Sequence, residues 1–224
     1  MQKRIRLRDR ILPDYSRGEE IMNLVTHIVG GGFGIIALVL TSLRSCLNHN
    51  TIELVSCIIY CCTMIALYSI SSIYHGMHCG TGKKVMQIID HCAIYFLIAG
   101  TYTPILLCVF VPAKPVLGWS LLAMQWGLAC LAATLTAIDL KKYNVFSMIC
   151  YILMGWCIIF FLPVALQLIA PGGFSLLLLG GVIYTIGAVL YGIGSKVHWM
   201  HSVFHIFVVA GSISQFLSIY LYML

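Results

Sequence analysis

The residues in this sequence best suited to chemistry are histidines and a few polar neighbours spaced one helical turn apart. His201 and His205 stand at i and i+4, as do Ser71 and His75, so each pair shares one face of a helix. Asp90 and His91 are adjacent, and Glu20, Asn23 and His27 fall on one face of another helix. Two imidazoles a turn apart can bind a single metal ion. A third from a neighbouring helix completes a three-His site whose fourth position holds water, the arrangement typical of catalytic zinc. His75, His201 and His205 fit that description. Asp90 is then suited to hydrogen-bond the metal water and take its proton, and Ser71 to orient a ligand or steady an oxyanion. Taken singly, each His near a helix end also reads as an interfacial or hydrogen-bonded residue. His27, His78, His91 and His198 stay open as alternative ligands, whereas His49 falls at the opposite end of the chain's spans.

The elements that bring these residues to one depth are membrane spans. The 224 residues are 61% hydrophobic and 9% charged, with a mean hydropathy of +0.99, far from the roughly 25% charged residues of an ordinary soluble domain. A spanning helix needs about 20 mostly apolar residues. Apolar runs punctuated by charge, Gly or Pro predict spans at 21–43, 52–74, 85–111, 116–138, 145–168, 174–193 and 199–222. The expected fold is an all-α membrane protein, a seven-transmembrane helix bundle, with a basic tail at 1–20 and the membrane domain at 21–224. The first apolar run follows a basic segment, as in a signal peptide, but it is too long for an h-region and lacks a small-x-small cleavage site, so it reads as an uncleaved span. Pro104 and Pro163 lie within spans, where neighbouring groups can satisfy a freed carbonyl, and kinks are expected there. Gly30 and Gly34 form a GxxxG pair suited to close helix packing; no strand precedes these glycines, which excludes a phosphate cradle. The ten cysteines contain no CxxC pair and read as small packing residues.

Orientation follows from the basic residues. Lys3, Arg4, Arg6, Arg8, Arg10 and Arg17 in the tail, Lys83 and Lys84 in the second loop, Lys141 and Lys142 in the fourth and Lys196 in the sixth share one side. Only Arg44 and Lys114 fall on the other. Eleven of the thirteen Lys and Arg residues therefore predict a cytoplasmic N-terminus and an outside C-terminus. In that orientation spans one, two, three and seven all carry their polar groups to the cytoplasmic end, where ionisable side chains inside a membrane mark function. The net charge of +6 reports topology and contact with anionic lipid, and no nucleic-acid partner is expected. Membrane lipid is the expected substrate or ligand. All lysines lie in the tail or loops, which excludes a retinal Schiff base, and the orientation is opposite to that of G-protein-coupled receptors.

EEIMNLVTH at 19–27, SSIYH at 71–75, DHCAIYFLIAGTYTPI at 90–105 and HSVFH at 201–205 resemble the hemolysin III proteins of bacteria, part of the wider progestin and adipoQ receptor group. The resemblance covers nearly the whole chain. It implies a bacterial inner or plasma membrane protein that holds zinc (Zn2+) near the cytoplasmic side through His75, His201 and His205, with Asp90 and Ser71 close to the metal. The more distant alkaline ceramidases share the SxxxH, Asp and HxxxH constellation and hydrolyse a lipid amide. Glu20, Asn23 and His27 match the family's first-helix motif. Gln215 departs from the pattern, because many members carry a His ten residues beyond the second His of HxxxH. Three functions are compatible with this reading. The first is a zinc-dependent hydrolase of a lipid amide or ester that enters laterally between helices. The second is a non-enzymatic sensor or membrane-homeostasis protein in which zinc ties spans two, three and seven together. The third is a lytic pore, although a chain made almost wholly of apolar spans has no evident water-soluble form, and lysis on overexpression is a generic membrane effect.

Overall fold

A computed structural model describes residues 7–194 and 197–224. Lys3, Arg4, Arg6 and Lys196, which contribute to the orientation argument, lie outside the described residues, as does the side chain of Arg8. The described residues contain no strand, and seven helices are long and apolar enough to cross a membrane. They are α1 (Arg17–Leu47), α2 (Thr51–Gly76), α3 (Thr81–Ala113), α4 (Pro115–Ile138), α5 (Asn144–Leu168), α6 (Pro171–Gly194) and α7 (Met200–Tyr222). The protein is an all-α, multi-pass membrane protein.

The predicted spans coincide with these helices to within a turn. The differences reach four residues at both ends of α1 and at the start of α3; at the start of α1, hydropathy places the boundary after the polar Arg17–Glu20 stretch. The helix begins before it because Ser16 and Glu19 form a capping box. Glu19 N donates to Ser16 Oγ (3.3 Å) and Ser16 N to Glu19 Oε2 (2.8 Å), so two otherwise orphaned amides are satisfied reciprocally. The first turn of α1 thereby rises out of the expected tail and carries Glu19 and Glu20 on a rigid scaffold.

Helices α1 and α2 run along each other, as do α6 and α7; α2 leads through α3 to α4, and α1 also packs on α7. Gly30 and Gly34 explain the first pairing. A Cβ at Gly30 would lie 2.8 Å from the Tyr68 ring, and one at Gly34 2.9 Å from Ile65 Cγ1, so only hydrogen at these positions lets α2 come this close. The most enclosed spans are α3 and α7, while α5 and α6 have the smallest share of buried residues and leave one broad side open. In a bilayer that surface faces lipid.

The two internal prolines both break regular helix. Pro104 is followed by a π-helical stretch, Ile105–Phe110, a common accommodation for a missing i→i−4 bond. Pro163 stands at the start of a resumed helix, just after a 3₁₀ stretch at Cys157–Phe161. The backbone groups freed in α5 are met from α3. Tyr102 Oη donates to Gly155 O (2.8 Å) and accepts from Ile158 N (3.1 Å), which is how a membrane helix tolerates a break away from water. All ten cysteines are unpaired, with Cys57, Cys61 and Cys157 in the core.

Candidate metal centre

His75 ends α2 as the last polar residue of its inward face, and His201 and His205 open α7. The fold brings all three together at the end of the bundle that also holds the start of α1 and of α3. All are buried, with 3%, 7% and 2% of their surface exposed, and one ring nitrogen from each lies within 4.8 Å of the others. His201 Nε2 and His205 Nε2 are 3.1 Å apart. Zn–N bonds of about 2.0–2.1 Å in a tetrahedron place ligand nitrogens about 3.3 Å apart. The pair therefore has the separation two ligands of one ion require. His75 Nε2, His201 Nδ1 and His205 Nδ1 have no hydrogen-bond partner within the protein. Buried polar atoms rarely go without one, and a cation shared with the Nε2 atoms of His201 and His205 meets that need for His75 Nε2. Neutral imidazoles also favour a borderline metal over the oxygen-loving magnesium or calcium.

The other histidines separate by geometry. His91 has both nitrogens committed, Nδ1 donating to Gln87 O (2.8 Å) and Nε2 accepting from Tyr191 Oη (3.1 Å). His78 is exposed in the loop after α2. His198 is exposed too, and its Nδ1 lies 3.3 Å from Glu19 Oε2. His49 sits in a left-handed turn between α1 and α2, at the far end of the bundle. His27 is the exception. It is buried, both its nitrogens are without partners, and its ring stacks on His205 at 3.8 Å. Stacking turns the ring edges the same way without directing His27 at the shared point, and the three-His group excludes it.

Ser71 and Asp90 face the same space. Both line a mostly apolar cavity of about 180 Å³ that also receives His27, His201 and His205. The Asp90 carboxylate lies close to Ser71 and 4.0 Å from His91 Nδ1, and Ser71 Oγ lacks a well-formed hydrogen bond. The cavity continues between α3, α5, α6 and α7, past Leu97, Tyr151 and Tyr184, to Gln215. Gln215 itself is anchored, its Nε2 donating to Leu177 O (3.1 Å). At this position the chain uses the side chain for α6–α7 packing at the distant end of the cavity.

Three features of this centre lie beyond the reading of the sequence alone. Lys83, counted there as a loop charge, is buried with 4% of its surface exposed, and its Nζ donates to Glu20 Oε1 (2.6 Å) and to Met77 O (3.0 Å). The other oxygen of Glu20 lies 2.6 Å from His75 Nδ1. The segment before α1 is not a free tail in its last part: Tyr15 stacks on His201 at 4.9 Å and 18° and closes the histidine cluster off from that side. Arg10 Nη2 donates to Gln87 Oε1 (3.0 Å), fastening the same segment to α3. Finally, Trp199 takes a left-handed conformation at φ 68°, which a bulky residue adopts only when held. Glu19 holds it, accepting from Trp199 N at 2.6 Å, and so fixes where α7 and its histidines begin.

The sequence matches the family model described as "Haemolysin-III related" over residues 15–216. It is 36% identical over 206 residues to "Hemolysin-3" of Bacillus cereus, covering 92% of both chains. It is also 36% identical over 204 residues to "Hemolysin-3 homolog" of Bacillus subtilis (strain 168), covering 91% of this chain and 94% of that one. A more distant similarity, 26% identity over 214 residues, links it to human "Monocyte to macrophage differentiation factor", with 92% of this chain and 84% of the other covered.

Proposed function

Because the chain belongs to the haemolysin-III-related family of membrane proteins, we propose that it binds one zinc ion through His75, His201 and His205 and hydrolyses an amide or ester bond of a membrane lipid. The observation that carries this reading is that two of the three clustered histidines, His201 and His205, line an apolar cavity within the bundle together with Asp90 and Ser71. A structural metal has no need of a cavity that its ligands share with a carboxylate and a hydroxyl. A bound zinc ion acidifies a coordinated water and polarises a carbonyl. Asp90 would accept a proton there, at a carboxylate about two and a half turns inside α3. Ser71 is placed to donate a hydrogen bond to a developing oxyanion. The apolar walls from α3, α5 and α6 accommodate an acyl chain and keep bulk water from it, and the sparse packing of α5 against its neighbours gives that chain a lateral way in from the bilayer.

The test compares lipid species in membranes of cells with and without the protein. A lipid amide or ester should accumulate when the gene is absent and fall to its normal level when the intact chain is restored, but not when His75, His201 and His205 are replaced. Identical lipid profiles in all four cell lines would refute hydrolysis.

A second reading keeps the metal and drops the turnover. Helices α2 and α7 meet mainly through side chains such as Tyr68, whose Oη donates to Ser212 Oγ at 2.7 Å. A metal shared by His75 and the α7 histidines would therefore staple two spans that otherwise have little direct backbone contact. In both readings the centre lies on the cytoplasmic side, an orientation supported by the charge distribution. A reporter active only in the cytoplasm should then work when fused before Met1 or at Lys141 and fail when fused after Leu224. Activity of the last fusion would invert the assignment.

A further inference from the structure

Glu20 belongs to no ligand set and faces the metal centre only through His75. Its two carboxylate oxygens are divided between two partners, both at 2.6 Å: His75 Nδ1 on one side and Lys83 Nζ on the other. An ionised carboxylate can only accept hydrogen bonds, so the His75 proton resides on Nδ1 and the lone pair on Nε2. Nε2 is the nitrogen that has no partner within the protein. Asn23 Nδ2, 3.4 Å from the same Nδ1, is itself a donor and cannot accept that proton, which leaves Glu20 Oε2 as its acceptor. Lys83 in turn is held from three directions, by Glu20, by Met77 O and by the face of the Tyr74 ring, with Nζ 5.4 Å from its centroid. The first turn of α1, the last turn of α2 and the first turn of α3 are thereby joined through one carboxylate.

We propose that Glu20 is the positioning residue of the metal centre: it fixes the tautomer and ring orientation of His75, and Lys83 fixes Glu20. This rests on the reading of His75 as a metal ligand. A carboxylate hydrogen-bonded to the far nitrogen of a ligating histidine orients the ring and raises its basicity, and losing such a partner typically lowers metal affinity about 10–100-fold. The ion pair with Lys83 keeps the carboxylate charged and aimed at a site shielded from bulk water. A lysine buried to this degree would otherwise be costly. The neighbouring Glu19 has a separate duty, since its oxygens hold Ser16 N and Trp199 N; the two adjacent glutamates divide the work of placing His75 and placing the start of α7.

The experiment uses detergent-purified full-length protein with cobalt(II) in place of zinc, read by chelator competition for affinity and by visible absorption for ligand geometry. Three proteins are compared: the unsubstituted chain, Glu20→Gln, and Glu20→Ala combined with Lys83→Met, which removes both charges together and leaves neither ion buried alone. The unsubstituted chain should show the intense bands of tetrahedral cobalt. The double variant should bind about 10–100-fold more weakly, with shifted or weakened bands because His75 no longer holds one orientation. Glu20→Gln keeps an acceptor oxygen toward Nδ1, and should recover a large part of the affinity and the band positions. A merely structural role would alter helix content or thermal stability and leave the cobalt spectrum of the folded fraction unchanged. If the double variant folds poorly, Glu20→Gln decides alone: its cobalt affinity must fall measurably below that of the unsubstituted chain, because a neutral amide oxygen accepts a weaker hydrogen bond than a carboxylate. Equal affinity and identical spectra in all proteins would overturn the positioning role while leaving the metal centre intact. Absence of cobalt and zinc binding in the unsubstituted chain would overturn the metal centre itself, and the role of Glu20 with it.

Discussion

Purified protein in which His201 and His205 are both replaced by Ala is expected to carry no zinc, where the unsubstituted chain carries about one ion. The two imidazoles supply two of the three nitrogens that converge within 4.8 Å, and a single remaining histidine does not retain zinc against a chelator. The effect should be specific to the convergent residues. His78→Ala and His198→Ala remove exposed imidazoles and should leave metal content unchanged, although His198 lies near Glu19 and its loss can loosen the loop. Acid should mimic the double substitution. A ligating imidazole must be unprotonated, so protons and metal compete for the same lone pairs. The metal is held above the ordinary imidazole range near 6.5 and released as pH falls through and below it. Full zinc occupancy in the double variant, measured by elemental analysis of folded protein, would show that the ligands are elsewhere.

Much of this centre is legible in the sequence because the rules involved are local or one-dimensional. A span is an apolar run of known length, and a polar residue inside one is conspicuous. The i, i+4 spacing of His201 and His205, and of Ser71 and His75, states which residues share a face without any knowledge of the neighbours. Depth follows from counting turns from the loop, which is why residues of four helices could be assigned to one end of the bundle. The choice among eight histidines could not be made this way. His91 stands next to Asp90 in the sequence and is discounted only because Gln87 O and Tyr191 Oη occupy its two nitrogens, and the second of these lies 100 residues away. Lys83 carries the opposite lesson. Its position at the edge of an apolar run suggests a solvated loop charge, yet the ion pair with Glu20 draws it into the bundle. Polar residues at a span boundary have no hydropathy signal that distinguishes a solvated side chain from one satisfied by a partner on another helix. The same reason hides Tyr15, whose stacking on His201 depends on how the segment before α1 folds back. The GxxxG pair was legible as a packing surface, but its partner, Tyr68 and Ile65 of α2, was not.

Asp90→Asn should separate a catalyst from a staple. Asp90 lines the cavity beside Ser71, but it is not one of the three convergent ligands. The amide preserves the shape of the side chain, so metal content and folding should stay close to those of the unsubstituted protein. What the amide cannot do is accept and return a proton. If the centre hydrolyses a lipid amide or ester, removing its general base should lower turnover by about 10²–10⁴-fold, with the lipid profile of the cell approaching that of cells lacking the protein. His75→Ala should behave differently in both readings. It removes a ligand and leaves a cavity where a buried ring stood, and truncating a large buried side chain commonly costs about 2–5 kcal/mol. Metal is lost and the thermal transition falls, so that variant alone cannot distinguish the readings. The contrast between the two can. A catalytic centre gives Asp90→Asn with normal metal, a nearly normal thermal transition and no turnover. A structural centre gives Asp90→Asn with normal metal and a normal phenotype, while His75→Ala unfolds more readily and fails for that reason. Metal content, thermal stability in detergent and the lipid profile, measured on both variants side by side, decide it, and an Asp90→Asn protein with normal metal and a fully normal lipid profile would remove the hydrolase reading.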